Sequence, residues 1–143
     1  MDRSEEIWES SILPSLSDFI GIKALSPLFE PNWAEMGELD ATIELFCEWL
    51  DDQGIAGMSY EKHRIGELSP VLIVTIEGTG PGEVIFYSHL DKQPSKPELW
   101  SEGLHPLKAV RRDPWLYGRG SVDDGYGGCL LYTSDAADEA KCV

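Results

Sequence analysis

The chain has 143 residues, 42% of them hydrophobic, so it is long and apolar enough to bury the core of one domain. Its 26 acidic and 11 basic side chains give a formal net charge of −15, which argues against nucleic acid or an anionic membrane surface as a partner. No run approaches the ~18 apolar residues of a membrane span, and the first residues lack the pattern of a signal peptide. With three cysteines at unrelated positions, we expect a cytoplasmic protein.

Two helices are predicted in the first third of the chain. Residues 5–20 place apolar side chains on one helical face, and Pro14 is expected to kink or break this helix. Asn32 is then expected to cap a second helix, with Glu35 as its capping-box partner and Gly54 as its stop. The apolar residues of the second helix are expected to be core: Met36, Leu39, Ile43, Phe46, Cys47 and Leu50.

Strands are predicted next, over residues 58–65 and 71–76. A glycine-rich turn leads into residues 84–87, an apolar run typical of a buried central strand. Residues 107–112 and 115–117 predict a short hairpin, and a helix is expected from Asp124 onward. The predicted fold class is therefore α/β, a mixed β-sheet flanked by helices.

His89 and Asp91 follow the predicted central strand directly. Ligands and catalytic groups of open α/β sheets collect at the carboxyl ends of strands. In an extended His-Leu-Asp the first and third side chains share a side, so Asp91 is expected to fix the tautomer of His89 and raise its basicity. The alternative is that both residues stand on an ordinary solvated loop.

A second motif carries two adjacent carboxylates, Asp123 and Asp124, behind the glycines of Gly118-Arg119-Gly120. Adjacent carboxylates repel each other unless a cation or a proton lies between them. His nitrogen and carboxylate oxygen are ligands for hard or borderline divalent ions. The two motifs together indicate a metal site.

In this order and spacing, His89-Leu90-Asp91-Lys92-Gln93-Pro94 and Gly118-Arg119-Gly120-Ser121-Val122-Asp123-Asp124 resemble the metal-binding motifs of the M20 family of dizinc peptidases, which includes carnosine dipeptidases and aminoacylases. The resemblance covers residues 7–128. It implies an incomplete catalytic domain of a zinc-peptidase-like fold.

The resemblance implies a role for each matching residue. His89 would ligate one zinc, Asp123 would bridge two zinc ions or other divalent metals, and a cis peptide would follow Asp123. Asp91 would be a catalytic-site carboxylate that orients His89. In such enzymes the metals activate a water that attacks a small peptide or an N-acyl amino acid, a glutamate is the general base, and many members are homodimers. His105 is a weaker metal candidate, and Lys92 and Gln93 do not settle the substrate.

The C-terminal residues 129–143 differ in character from the rest of the chain. Residues 129–139 resemble the translation of a sequencing-library adapter, which divides the chain into a metallopeptidase part, 1–128, and a non-native tail, 129–143. The alternative is a genuine polar C-terminal helix. The general base and remaining ligands are expected beyond residue 128, so we expect this chain alone to be inactive. Two other functions stay open: a truncated chain without catalysis, and a metal-binding remnant that lacks the general base.

Overall fold

The structure is a computed structural model that describes residues 3–131. In chain order its elements are α1 (Arg3–Ile7), a π-helical turn (Trp8–Ile12), α2 (Leu13–Gly21), α3 (Trp33–Met36), α4 (Glu38–Gln53), β1 (Met58–His63), β2 (Val71–Ile76), a short 3₁₀ turn (Pro97–Leu99), β3 (Val110–Arg112), β4 (Trp115–Tyr117) and α5 (Gly125–Leu131). The fold combines helices with small antiparallel sheets, which confirms the α/β class. None of the helices within these residues is long and apolar enough to cross a lipid bilayer.

The described residues form two compact units. The first contains residues 3–21, 86–90 and 95–131, and the second contains residues 22–85 and 91–94. Each unit carries one antiparallel pair of strands, β3 with β4 in the first and β1 with β2 in the second. The predicted mixed sheet is therefore wrong for the described residues, whose ladders are two separate hairpins with one isolated parallel bridge, Leu25 to Lys92, in the second unit.

The first unit begins with a helical segment that continues through Pro14. The N–H of Leu13 donates to the carbonyl of Trp8, five residues earlier, so the helix widens by one residue immediately before the proline. A proline lacks an N–H and its ring crowds the carbonyl four residues back, and the wider turn accommodates both features. Of the two expected effects of Pro14, the break is wrong, because the helix continues past the proline after a π-helical turn. The kink stays a prediction.

The core of the first unit lies between α2 and α5. Ile12, Leu16, Phe19 and Ile20 are buried, as their helical spacing predicts. Trp8 contacts Tyr126 of α5 edge-to-face, with ring centroids 6.0 Å apart. The β3–β4 hairpin was also predicted, and Arg111 on β3 donates to Glu9 at 2.7 Å and thereby joins the hairpin to the first helical segment.

In the second unit, glycine ends both helices. Gly37 (φ 68°) stops α3 and Gly54 (φ 61°) stops α4, in a left-handed conformation that an L side chain adopts only at a cost. The stop at Gly54 was predicted. The capping box at Asn32 is wrong: its side chain makes no capping hydrogen bond, and its N–H donates to the Glu30 carboxylate at 3.2 Å.

Alternate residues of β1 reach α4 in reverse order along the helix. Tyr60 donates to Asp51 at 3.1 Å, Lys62 donates to Glu44 at 2.8 Å, and Arg64, just beyond the strand, pairs with Asp40. The apolar face of α4 is buried as predicted. Met36 was predicted to belong to the same core, but it lies on α3 and is 46% exposed. Alternate side chains of a strand point to the same face, so one face of the β1–β2 hairpin contacts α4.

The predicted central strand is absent. Residues 84–87 lie outside regular structure, and their side chains are 66–88% exposed. A strand exists only as part of a hydrogen-bonded ladder, and no other segment of residues 3–131 pairs with this one. Both the predicted strand and its predicted burial are therefore wrong for the described residues, because each needs a partner segment.

Candidate metal site

His89 and Asp123 lie side by side in the first unit. His89 Nε2 is 3.2 Å from Asp123 Oδ1, although 34 positions separate the two residues in the chain. Their side chains are 35% and 55% exposed, so the pair faces solvent on one side. The structure thus brings together the two residues that the sequence predicted as metal ligands.

The carboxylate of Asp124 has different contacts. Its Oδ2 accepts the backbone N–H of His89 at 3.3 Å, and its Oδ1 lies 2.4 Å from where a Cβ on Gly127 would stand. The peptide bond between Asp123 and Asp124 is cis, as the motif resemblance implied. The two carboxylates have different partners, so the geometric case for a metal depends on His89 with Asp123. A cation between Asp123 and Asp124 stays a prediction.

Two glycines let the second motif pack closely against α2. An added Cβ at Gly118 would come within 2.5 Å of Ile20, and one at Gly125 within 2.4 Å of Phe19 and 2.7 Å of the Gly120 carbonyl oxygen. Real side chains do not tolerate such distances without displacement. The two glycines therefore let the loop that carries Asp123 pack against the buried face of α2.

Arg119 contacts the other oxygen of the same carboxylate. Its Nη2 donates to Asp123 Oδ2 at 3.0 Å, and its backbone N–H donates to the carbonyl of the buried Pro106 at 2.7 Å. Its Nε is buried without a hydrogen-bond partner. Sequence analysis gave Arg119 no role, although a cation four residues before a candidate ligand was the signal that could have found it.

The geometry of His89 and Asp123 fits two ligands of one zinc ion. Zinc bonds of about 2.0–2.1 Å to nitrogen and 2.0–2.2 Å to oxygen, at a tetrahedral angle, place the two donors roughly 3.4 Å apart. The observed 3.2 Å is close to that separation. Within residues 3–131, however, no three His, Cys, Asp or Glu side chains gather into a metal-binding group. His89 and Asp123 would supply two of the three protein ligands that a catalytic zinc usually has.

Sequence analysis also considered Asp91, Lys92 and His105. Asp91 belongs to the second unit and is half-buried, and its predicted role toward His89 stays a prediction. Its neighbour Lys92 is 1% exposed and donates from Nζ to the Ile22 carbonyl at 2.5 Å, so it anchors the loop in the core of the second unit. His105 accepts the Leu107 N–H on Nδ1 at 3.1 Å in a tight turn, which engages one of its two possible metal-binding nitrogens.

Comparison with models of protein families gives no match for this chain, and no curated protein matches it significantly. The likeness to the M20 family therefore depends on the two motifs.

Proposed function

We propose that this chain is part of the catalytic domain of an M20-type zinc-dependent hydrolase, which cleaves a small peptide or an N-acyl amino acid. The observation that carries the proposal is the approach of His89 Nε2 to within 3.2 Å of Asp123 Oδ1. Two residues 34 positions apart in the chain thus supply a nitrogen and an oxygen donor at the spacing of a zinc tetrahedron.

The exposed apolar segment at residues 84–87 supports the same proposal. Val84, Ile85, Phe86 and Tyr87 are 78%, 88%, 66% and 85% exposed, which is unusual for four consecutive large apolar side chains. In a zinc-peptidase-like fold this segment is the strand that leads to the histidine, buried within a larger sheet. Such a sheet would supply the strand partners that the described residues do not.

The residues of the site have distinct tasks in this proposal. His89 presents Nε2, and Asp124 holds the His89 backbone in place through its N–H. Asp123 presents Oδ1 beside that nitrogen, and the tight packing of Gly118 and Gly125 on α2 fixes the loop that carries it. Zinc, when bound, supplies a Lewis acid for the scissile carbonyl and lowers the pKa of water. Asp91 keeps the orienting role that the resemblance implies.

Zinc binding with matched variants tests the site in this chain. Equilibrium dialysis should show that the chain binds zinc. The affinity for zinc should fall at least about 100-fold in His89→Ala and in Asp123→Asn. His63→Ala is the matched control, because His63 pairs with Glu61 on the exposed part of β1 in the second unit. Zinc binding that is unchanged in His89→Ala and lost in His63→Ala would contradict the proposal.

Activity is tested in a longer protein that contains this chain and the remaining ligands. Hydrolysis of a dipeptide or an N-acyl amino acid should require zinc and should be lost in His89→Ala. Retention of zinc and activity at the wild-type level in that variant would contradict the assignment.

A metal-binding protein without catalysis is the second candidate. It is favoured by the finding that the described residues bring together only two donors. Zinc binding that depends on His89 and Asp123, without hydrolysis of either substrate class in the longer protein, would support this candidate over the enzyme.

A further inference from the structure

Both oxygens of the Asp123 carboxylate are already engaged. Oδ1 lies 3.2 Å from His89 Nε2, and Oδ2 accepts from Arg119 Nη2 at 3.0 Å. A carboxylate that bridges two metal ions offers one oxygen to each ion. In this chain the second oxygen is paired with a permanent positive charge.

Arg119 is held in this position from both ends of the residue. Its backbone N–H donates to the buried Pro106, and its side chain is only 26% exposed. Its Nε is buried and makes no hydrogen bond, whereas its Nη2 donates to Asp123. Moving the side chain away from Asp123 would leave a partly buried guanidinium with still fewer hydrogen bonds, which costs free energy.

We propose that Arg119 competes with a divalent cation for Oδ2 of Asp123 and so confines the first metal ion to the His89 side of the carboxylate. The inference rests on the proposed function, because it assumes that His89 and Asp123 bind metal. A second ion at Oδ2 would have to displace Arg119 or lie beside its positive charge. Arg119 is in this account a positioning residue that sets the order and affinity of metal binding.

The test is isothermal titration of the chain with Zn²⁺, comparing the wild type with Arg119→Met and Arg119→Lys. Arg119→Met should raise the affinity for zinc about tenfold, because a positive charge a few ångströms from the dication is removed. Arg119→Lys keeps the charge and should stay within about threefold of the wild type. Arg112→Met is the matched control: it removes the same charge from an exposed residue of β3, whose side chain donates to the Glu102 carbonyl.

The outcomes separate the inference from the proposed function. Equal affinity in the wild type and Arg119→Met, with binding still lost in His89→Ala, leaves the metal site standing and overturns the competition. Weaker binding in Arg119→Met also overturns it, since Arg119 would then help to present Asp123. Absence of His89-dependent binding in every variant overturns both. A thermal melt of each variant verifies that it is folded, and if Arg119→Met fails to fold, Arg119→Gln takes its place with the same expectation.

Discussion

Nε2 of His89 and Oδ1 of Asp123 approach to 3.2 Å because two separate loops of the first unit are tied together. The backbone N–H of His89 is bound by Asp124, which follows Asp123 directly. One loop therefore positions the other by a contact that does not involve the candidate ligands themselves. The hydrogen bond from the His89 backbone to Asp124 thus holds the two candidate ligands close to each other.

Replacement of Gly125 by alanine should destabilise the first unit. The new methyl group would stand 2.4 Å from the Phe19 ring and 2.7 Å from a backbone oxygen that cannot move freely. Overpacking of this kind costs about 1–3 kcal/mol in the free energy of unfolding. Gly21→Ala is the control, since nothing lies within 4 Å of its Cβ position at the end of α2. Urea unfolding should show a large loss for Gly125→Ala and none for Gly21→Ala; equal midpoints would contradict the described packing.

The thiol of Cys47 should be protected from modification while the chain is folded. Cys47 lies on the buried face of α4, and burial, with smaller contributions from the Glu44 and Asp51 carboxylates, raises the pKa of the thiol. The thiolate is the reactive form, so a disulfide reagent should label Cys47 at least about tenfold more slowly in the folded chain than in denaturant. Peptide mapping identifies the labelled site, and Cys47→Ala provides the blank. Rapid labelling of Cys47 in the folded chain would show that α4 is not packed as described.

The same group makes the chain less stable in alkali. A raised pKa means that the folded state keeps a proton that the unfolded state loses. The contribution to stability is therefore complete below the unfolded thiol pKa of about 8.5 and is lost as the pH rises through the folded value. Melting temperatures measured across this range should fall more steeply for the wild type than for Cys47→Ala; parallel curves would exclude the effect.

Lys62 predicts a similar loss at higher pH. Its hydrogen bond to the Glu44 carboxylate raises the pKa of the ammonium group. The contribution is complete below the unfolded lysine pKa of about 10.4 and is lost as the pH rises through the raised value. The pair is exposed, so the effect should be small. Lys62→Gln should reduce the alkaline slope of the melting temperature, whereas Lys108→Gln, an exposed lysine after the His105 turn, should leave it unchanged. The opposite ranking would contradict the described ion pair.

The exposed apolar segment should drive association of the chain. Ile85 is 88% exposed, so Ile85→Lys should change the free energy of unfolding by less than about 0.5 kcal/mol. It should nevertheless lower the weight-average mass seen by light scattering at high concentration, because a charge in an apolar strand-like run opposes edge-to-edge pairing. Glu83→Gln, next to the run, raises the net charge by the same single unit and is the control for the change in charge. Identical association of the wild type and Ile85→Lys would show that residues 84–87 do not mediate the association.

Local patterns were sufficient to predict much of the fold. The strand at residues 71–76, the β3–β4 hairpin, the stop at Gly54 and the helix after Asp124 all follow from short-range periodicity or turn chemistry. Each of these features depends on residues within a few positions of one another. The same is true of the buried face of α4.

The errors arose where the outcome depends on distant partners. The run at residues 84–87 has the composition of a buried strand but no ladder partner among the described residues. Pro14 was expected to kink or break its helix, which continues past the proline after a π-helical turn. At the site, the motifs predicted His89 and Asp123 correctly as neighbours, yet the separate directions of the Asp123 and Asp124 carboxylates and the contact from Arg119 could be learned only from the structure.

The tail hypothesis, that residues 129–143 are non-native, falls mainly outside the described residues. The backbone of α5 extends through residue 131. The hypothesis therefore stays a prediction, and the site and the tests above use residues before it.

The most direct test of the metal site is nitrogen NMR of the three histidines during zinc titration. The account predicts a large zinc-induced shift of His89 Nε2, with little change at His63 and His105, and loss of that shift in Asp123→Asn. His63 pairs with Glu61 and His105 accepts from the Leu107 N–H, so each has a separate environment and a distinguishable signal. A shift confined to His63 or His105, or none at any histidine, would contradict the central claim that His89 and Asp123 form a metal site.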